Sequence, residues 1–303
     1  MLKFIITRLI ESIGVLLCVS LITFFLSKAI PGGPFDAEKK VPEAVKKQLE
    51  SYYGLDQPGW KQYLTYTFQF PNLPSTKFPN RKVGSMIATK FKVSVELGFY
   101  SLGVALLLGI PSGVLASLRP NSFLDYIPSA VSMVGICLPT FVMGPALVLI
   151  FAVNLQWFNA TGWEYASDKI LPSLTLGLYY AAYVARLTRG GMLEVLSQDF
   201  IRTAMSKGAS KVQVILKHAI RGGLLPVISF LGPAAAGLIA GSFVVETVFG
   251  IPGMGQEFVN AVSNRDITFI TGLVLFFAAL IIIFNLIVDI ALVFLNPKLS
   301  FKD

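Results

Sequence analysis

The chain has 303 residues, 54% of them hydrophobic and 14% charged, and a formal net charge of +8. Ordinary globular domains are roughly a quarter charged, so the composition is that of an integral membrane protein, and the basic excess is read as topology-setting rather than nucleic-acid-binding. Two cysteines, Cys18 and Cys137, and one histidine, His218, leave little material for a disulfide framework, a structural zinc site or a multi-histidine centre.

In chain order, the first apolar run is Leu9–Ile30, behind the positive flank of Lys3 and Arg8. It is longer than the core of a signal peptide, no small-residue cleavage site follows, and Pro31-Gly32-Gly33-Pro34 ends it. It is read as a retained first span (1–30). An outside loop (31–93) follows. In it Val45, Leu49 and Tyr52/Tyr53 are spaced as one helical face, with Gly54 as the cap. The aromatic residues after it suit either a segment lying on the membrane interface or a soluble loop packed on the outer face.

A core region (94–303) then supplies five more candidate spans: Ser94–Leu118, Ile127–Val153, Ile170–Leu187, Leu224–Val245 and Ile267–Leu295. Gly135, Pro139, Gly144 and Pro145 interrupt the second of these and Pro172 opens the third, which a membrane tolerates where protein or a wet cavity re-satisfies the backbone. Lys3, Arg8, Arg119, Arg186, Arg189, Arg202, Lys207, Lys211, Lys217, Arg221, Lys298 and Lys302 flank one side, against Lys169 and Arg265 in the short loops of the other. That bias places both termini and the Arg186–Pro226 loop in the cytoplasm. Glu96 and Asp289 are carboxylates at or near membrane depth, to be explained by a cavity or by a nearby partner. The glycine-rich block Glu246–Gly255 closes the outer end of the fifth span; Gly250, Pro252, Gly253 and Gly255 fit a tight turn that shapes an outer gate or simply caps the bundle.

The Arg186–Pro226 loop carries most information. It reads as two helices, the first stopped at Gly208 and the second capped by Ser210 with Gln213 as its box partner. Val212, Ile215, Leu216 and Ala219 are expected on one face, with Lys211, Lys217, His218 and Arg221 largely off it. Such a helix can lie along inner headgroups or insert into a cleft of a partner protein.

Arg202-Thr203-Ala204-Met205-Ser206-Lys207-Gly208, with His218-Ala219-Ile220 and Leu224-Leu225-Pro226 after it, resembles the coupling loop of ABC-transporter membrane subunits. The Arg-Thr-Ala triplet in place of Glu-Ala-Ala is similar to the peptide and nickel permease branch. Val184–Arg189, Val245–Gly255 and Asn296-Pro297-Lys298 agree, so the resemblance spans nearly the whole chain. It is nearest to the first, B-type, membrane subunit of bacterial oligopeptide permeases, which likewise begins directly with its first span.

The resemblance implies an all-α, six-span, type I importer permease fold in the bacterial inner membrane. It implies import of oligopeptides or dipeptides, or of nickel chelates and related solutes, by alternating access. The partners it implies are a second, related membrane subunit, two cytoplasmic ATPase subunits that bind ATP and Mg, and an external binding protein. Asp199, Phe200, Arg202, Thr203, Ala204, Lys207, Gly208 and His218, within the coupling loop 188–223, would meet the ATPase; the small Ala204 would allow close approach in its groove. Glu246, Gly250, Pro252, Gly253 and Gly255 would lie beside the gate. The chain has no phosphate-loop motif, so the motor is expected on a separate polypeptide and no cofactor on this one. Two departures stand out. Pro71–Lys77 replaces a Gly-Asp-x-Gly-x-Ser block, and Gly222-Gly223 stands where asparagine is frequent, a change expected to loosen the approach to the fifth span. An ion-coupled carrier would need midplane carboxylates and an inverted repeat, and an intramembrane enzyme a paired nucleophile and base; neither pattern is evident in the sequence.

Overall fold

The computed structural model describes residues 2–29, 35 and 42–295. The Pro31–Pro34 stop and the Asn296-Pro297-Lys298 block lie outside the described residues. Among these residues the secondary structure is helical, with one isolated antiparallel bridge between Pro74 and Lys82. The chain divides into two compact units, Met1–Ser94 with Pro252–Ile283, and Val95–Ile251 with Phe284–Asp303.

The first unit holds α1 (Leu2–Ala29), α2 (Glu43–Tyr52), α3 (Gly59–Phe68), the start of α4 (Val83–Leu118), and, from the later chain, α13 (Met254–Ser263) and most of α14 (Ile267–Leu295). Its core is Val83, Met86, Ile87, Met254, Phe269 and Leu273, with Phe91 and Phe276 edge to face at 5.1 Å. The aromatic stretch around α2 and α3 is partly a packed knot: Tyr66 Oη donates to the Tyr53 carbonyl at 2.8 Å and Tyr53 Oη to the Ser75 carbonyl at 2.9 Å. Burial pushes the Tyr53 phenol up to about 12 and raises that of Tyr66, so both remain donors. Tyr52, Trp60 and Phe68 stay exposed. The expected face of α2 is therefore split, since Val45 and Tyr52 point out and Tyr53 points in.

Pro71–Lys77 is held by Asp266, just before α14. Its carboxylate accepts from Ser75 Oγ, from Thr76 N and Oγ1 (3.0 and 2.9 Å), from Thr268 Oγ1 (3.0 Å) and from the Phe269 amide (3.2 Å). One buried carboxylate thus caps a long helix and pins the loop, satisfying donors that burial would otherwise orphan.

The second unit holds the rest of α4, α5 (Phe123–Cys137), α6 (Thr140–Leu147) running into a π-helical turn (Val148–Asn154), a 3₁₀ turn (Ala166–Lys169), and α7 (Ile170–Leu196). The expected third span is two helices bent by 107°. The reason is local: Pro139 biases Leu138 to extended backbone (φ −81°, ψ 114°), and the helix restarts at Thr140. Three described helices are long and apolar enough to cross a membrane, or up to five if each bent pair is one span. α7 is not among them, although the expected Ile170–Leu187 span lies wholly within it. Protein surrounds α7, so it need not be apolar all round: Ser173, Thr175 and Thr188 are buried on it.

The α4–α7 contact depends on missing side chains. A Cβ on Gly113 would lie 2.4 Å from the Ala185 carbonyl oxygen, one on Gly109 2.7 Å from Val184, and one on Gly177 2.6 Å from Val104. Small residues three or four apart let backbones approach this closely in membrane helices. Gly113→Val is expected to force α4 and α7 apart at a cost of about 1–3 kcal/mol or more, lowering the thermal midpoint of the detergent-solubilised protein; Gly103→Ala, where nothing lies within 4 Å, is expected to leave it unchanged.

Candidate functional site: the loop between α7 and α11

α7 ends at Leu196, and α8 (Asp199–Ser206) starts after an extended Gln198. α8 ends in a Schellman motif: Gly208 takes φ +87°, its amide donates to the Met205 carbonyl at 3.0 Å, and the Ala209 amide donates to Ala204 at 3.2 Å. α9 (Lys211–Gln213) then opens with a capping box, Gln213 N to Ser210 Oγ at 3.3 Å and Ser210 N to Gln213 Oε1 at 3.1 Å. A π-helical turn (Val214–Ala219), α10 (Ile220–Gly223) and α11 (Leu225–Ile239) follow.

Ile201 is the anchor. It is buried among Met192, Val195, Val214 and Ala219, with Ala204, Ala209 and Ile215 packed around them. Both arms of the loop thus share one core with the end of α7. The π turn corrects the expected apolar face. Its i→i+5 bonding brings Val214 and Ala219, five apart, to the same side, while Val212 and Leu216 are turned outward at 63% and 61% exposure. Gly222-Gly223 does not loosen the approach to α11. A Cβ on Gly191 would lie 2.3 Å from the Gly223 carbonyl oxygen, and one on Gly223 2.5 Å from Met192 Sδ, so this glycine pair lets α10 press against α7.

Of the residues assigned to coupling, Asp199, Phe200, Arg202, Thr203, Lys207, Gly208 and His218 are exposed, and Ala204 is half-buried against the Ile201 core. Its smallness serves the loop's own packing. The outward surface also includes Met205, which the sequence pattern did not single out, and Val212 and Leu216, two of the four residues expected on the apolar face of the second helix. These three and Phe200 make four large apolar side chains that stand among basic ones on a rigid, capped scaffold.

The residues assigned beside the gate fall on both sides of the division between the units. In the second unit, Glu246 is fully buried in α12 (Phe243–Phe249), which Ser242 caps through the Val245 amide. Gly250, at φ +64°, ends α12 as Gly208 ends α8: its amide donates to Thr247 at 3.3 Å and the Ile251 amide to Glu246 at 2.8 Å. The Gly162 amide reaches the Phe249 carbonyl at 3.0 Å, so the segment before α7 covers this turn. Asp168 organises that segment; the Tyr165 amide, then the Asn159 side chain, the Ser167 hydroxyl and the Glu164 amide, hold its carboxyl below the usual range. In the first unit Pro252 is exposed, Gly253 and Gly255 are buried, and the Met254 amide donates to Ser94 Oγ at 2.8 Å.

Neither of the two carboxylates expected near membrane depth is free. Glu96 meets Lys169 Nζ at 2.5 Å and Trp163 Nε1 at 3.2 Å, and Asp289 is not free either. A pair missed from the sequence joins α5 to α7: Asp125 accepts from Arg189 Nε at 2.5 Å and Nη2 at 2.7 Å, beside a cavity of about 330 Å³ lined by α4, α5 and α7. Asp125 and Arg189 are 64 positions apart, and no local pattern joins them.

These features define a multi-pass helical membrane component with one capped, firmly packed loop between α7 and α11. Comparison with known proteins gives the family. The model for "Binding-protein-dependent transport system inner membrane component" matches residues 109–301, and that for the N-terminal part of such components matches residues 1–71. The chain belongs to this family of transport-system permeases. The oligopeptide transport system permease protein OppB of Haemophilus influenzae is 45% identical over 309 residues, covering 99% of this chain and 100% of that one. The dipeptide transport system permease protein DppB of Bacillus subtilis is 42% identical over 305 residues, covering 99% and 98%. OppB of Escherichia coli K12 is 42% identical over 306 residues, covering 99% and 100%. Among solved structures, the inward-facing MetNI methionine ABC transporter superposes with a TM-score of 0.60 at 18% identity, over 70% of this chain and 97% of that one. An amino acid ABC transporter crystallised with histidines gives 0.51 at 17%, over 71% and 95%. These two likenesses establish the type I importer permease fold.

Proposed function

We propose that this chain is the first membrane subunit of an ATP-driven importer of oligopeptides or dipeptides. The observation that carries the reading is likeness at 42–45% identity along the whole chain to permeases named for these substrates. A second, related membrane subunit completes the path, since a route for a peptide must be lined from two sides. Two cytoplasmic ATPase subunits bind ATP and Mg, and an external binding protein delivers the substrate. The loop between α7 and α11 is the docking platform and supplies the mechanical link. Displacement of an ATPase groove passes through α8 into the Ile201 core and so into α7, because a capped helix on a packed core transmits force that a loose loop would dissipate. Phe200, Met205, Val212 and Leu216 are the apolar contacts, and Arg202, Lys207 and His218 the polar rim. Alternating access then follows from movement of the spans around a path between the two membrane subunits.

Reconstitution tests the substrate. Vesicles holding both membrane subunits and the ATPases, supplied with peptide-loaded binding protein, should import peptide in the presence of ATP and of ionophores. Import of nickel chelates but not peptides, or import abolished by ionophores, would reject the reading.

Phe200→Asp should leave membrane insertion intact, because the side chain is 46% exposed, yet lose co-purification with the ATPases or transport-coupled hydrolysis. Gly208→Val should do the same at an added cost of about 1–3 kcal/mol for a β-branched residue at positive φ. Normal co-purification and uptake in both variants would defeat the coupling assignment, leaving the loop as a segment resting on anionic lipid.

The distribution of Lys and Arg supports a cytoplasmic position for both termini and the platform. In sealed cells of a chain without Cys18 and Cys137, an impermeant thiol reagent should modify Lys77→Cys and spare Gln213→Cys; modification of the second would invert the topology.

A further inference from the structure

One face shared by α7 and α11 is built unlike the rest of the apolar surface. α4 exposes Phe99, Leu107 and Leu115, and α5 exposes Ile127, Val131 and Val134, as suits contact with hydrocarbon. From Leu171 to Leu196 and from Leu225 to Ile239 no large hydrophobic side chain is exposed. Among the side chains these helices leave half-open, aliphatic ones such as Leu178 and Leu231 included, are four aromatic rings, Tyr179, Tyr180 and Tyr183 on α7 and Phe230 on α11, beside the exposed Ser229 and Pro233. The four rings form one cluster. Tyr183 stacks on Phe230 at 5.8 Å, Tyr180 lies 6.3 Å from the same ring, and the Tyr179 and Tyr183 hydroxyls are 3.4 Å apart. The Tyr180 hydroxyl makes no hydrogen bond among the described residues.

The tyrosines lie roughly 14–20 Å along α7 from Ile170 at 1.5 Å per residue, the middle of a hydrocarbon layer of about 30 Å. Tyr179 and Tyr183 share one hydrogen bond, which leaves the second O–H of that pair and the O–H of Tyr180 without an acceptor if lipid faced them, so something polar covers this face. A tightly packed partner helix is the poorer occupant. Close helix contacts in membranes use small residues, as Gly109, Gly113 and Gly177 do between α4 and α7, whereas three tyrosines hold a backbone away. A peptide fits better. Its main chain is constant and polar, and its side chains vary. Tyrosine offers a hydroxyl to the first and a broad, stiff, amphipathic ring to the second.

We propose that Tyr179, Tyr180 and Tyr183, with Phe230, form a wall of the translocation path and touch the peptide in transit, the hydroxyls bonding its amide groups and the rings receiving its side chains. The peptide part rests on the function proposed above; the assignment of this face to a wet path does not.

The test uses the assembled complex in vesicles, with the exposed Cys18 and Cys137 replaced by alanine. Tyr180→Cys and Tyr183→Cys are compared with Leu107→Cys for reaction with a charged, water-soluble methanethiosulfonate. The two path positions should react roughly tenfold or more faster, because the reactive thiolate forms where water reaches. Peptide-loaded binding protein with ATP should slow them. Equally slow reaction at all three positions overturns the path assignment. Fast reaction that peptide does not slow, in vesicles importing that peptide, overturns the peptide contact. Vesicles that import no peptide at all reject the substrate reading, and the labelling pattern then still decides whether the face is wet. If the cysteine variants do not assemble, Tyr180→Phe removes only the hydroxyl. A severalfold rise in the transport KM for peptide supports the contact, and an unchanged KM overturns it.

Discussion

The close approach of α4 to α7 is the constraint on which the second unit depends. Gly109, Gly113 and Gly177 bring the two backbones to a separation that a single Cβ would prevent. With α4 on one side and α5, α6 and α11 packed on others, α7 becomes a helix surrounded largely by protein. That surrounding explains why it can carry buried Ser173, Thr175 and Thr188, half-open tyrosines and Arg189 on one rod. A helix solvated by lipid could not hold Arg189, whose charge would lack the Asp125 carboxylate.

Charge pairing fixes the same rod at two points. Lys169, just before α7, meets Glu96 of α4, and Arg189, in its last third, meets Asp125 of α5. Asp125 is buried, and removing one member of a buried pair costs far more than the pair contributes to stability; the half-exposed Glu96–Lys169 pair contributes little strength, so both contacts are better read as setting position. Arg189 is separated from the platform by little more than two turns of α7. Met192 and Val195, next along the helix, already belong to the core that holds Ile201.

The platform and the turn after α12 use the same device. A glycine at positive φ closes each helix with two reversed amide bonds, at Gly208 and at Gly250. Each ends a short helix abruptly and leaves its last carbonyls satisfied. On the platform this leaves Phe200, Met205, Val212 and Leu216 outside while Ile201, Ala204 and Val214 are held inside. Apolar side chains displayed on a firm scaffold lose little freedom on docking, which favours a defined partner groove over a fluid lipid surface.

The sequence by itself determined what is local or compositional. The membrane class followed from the scarcity of charge, the helix stop at Gly208 from its glycine, and the Ser210–Gln213 cap from a spacing of three. The family resemblance rested on motifs in order along the chain. Tertiary structure alone decided the rest. The bend after Leu138 could be suspected from Pro139, but its angle could not. The π turn at Val214–Ala219 changed which residues of the loop face outward, because one additional residue in a turn rotates everything after it and no side chain there announces it. Ala204 proved to be partner to its own core rather than a free surface. The pairing of Asp125 with Arg189, and the meeting of three tyrosines with Phe230, arise from helices far apart in the chain. Periodicity tells which side of a helix is apolar; only packing tells what that side meets.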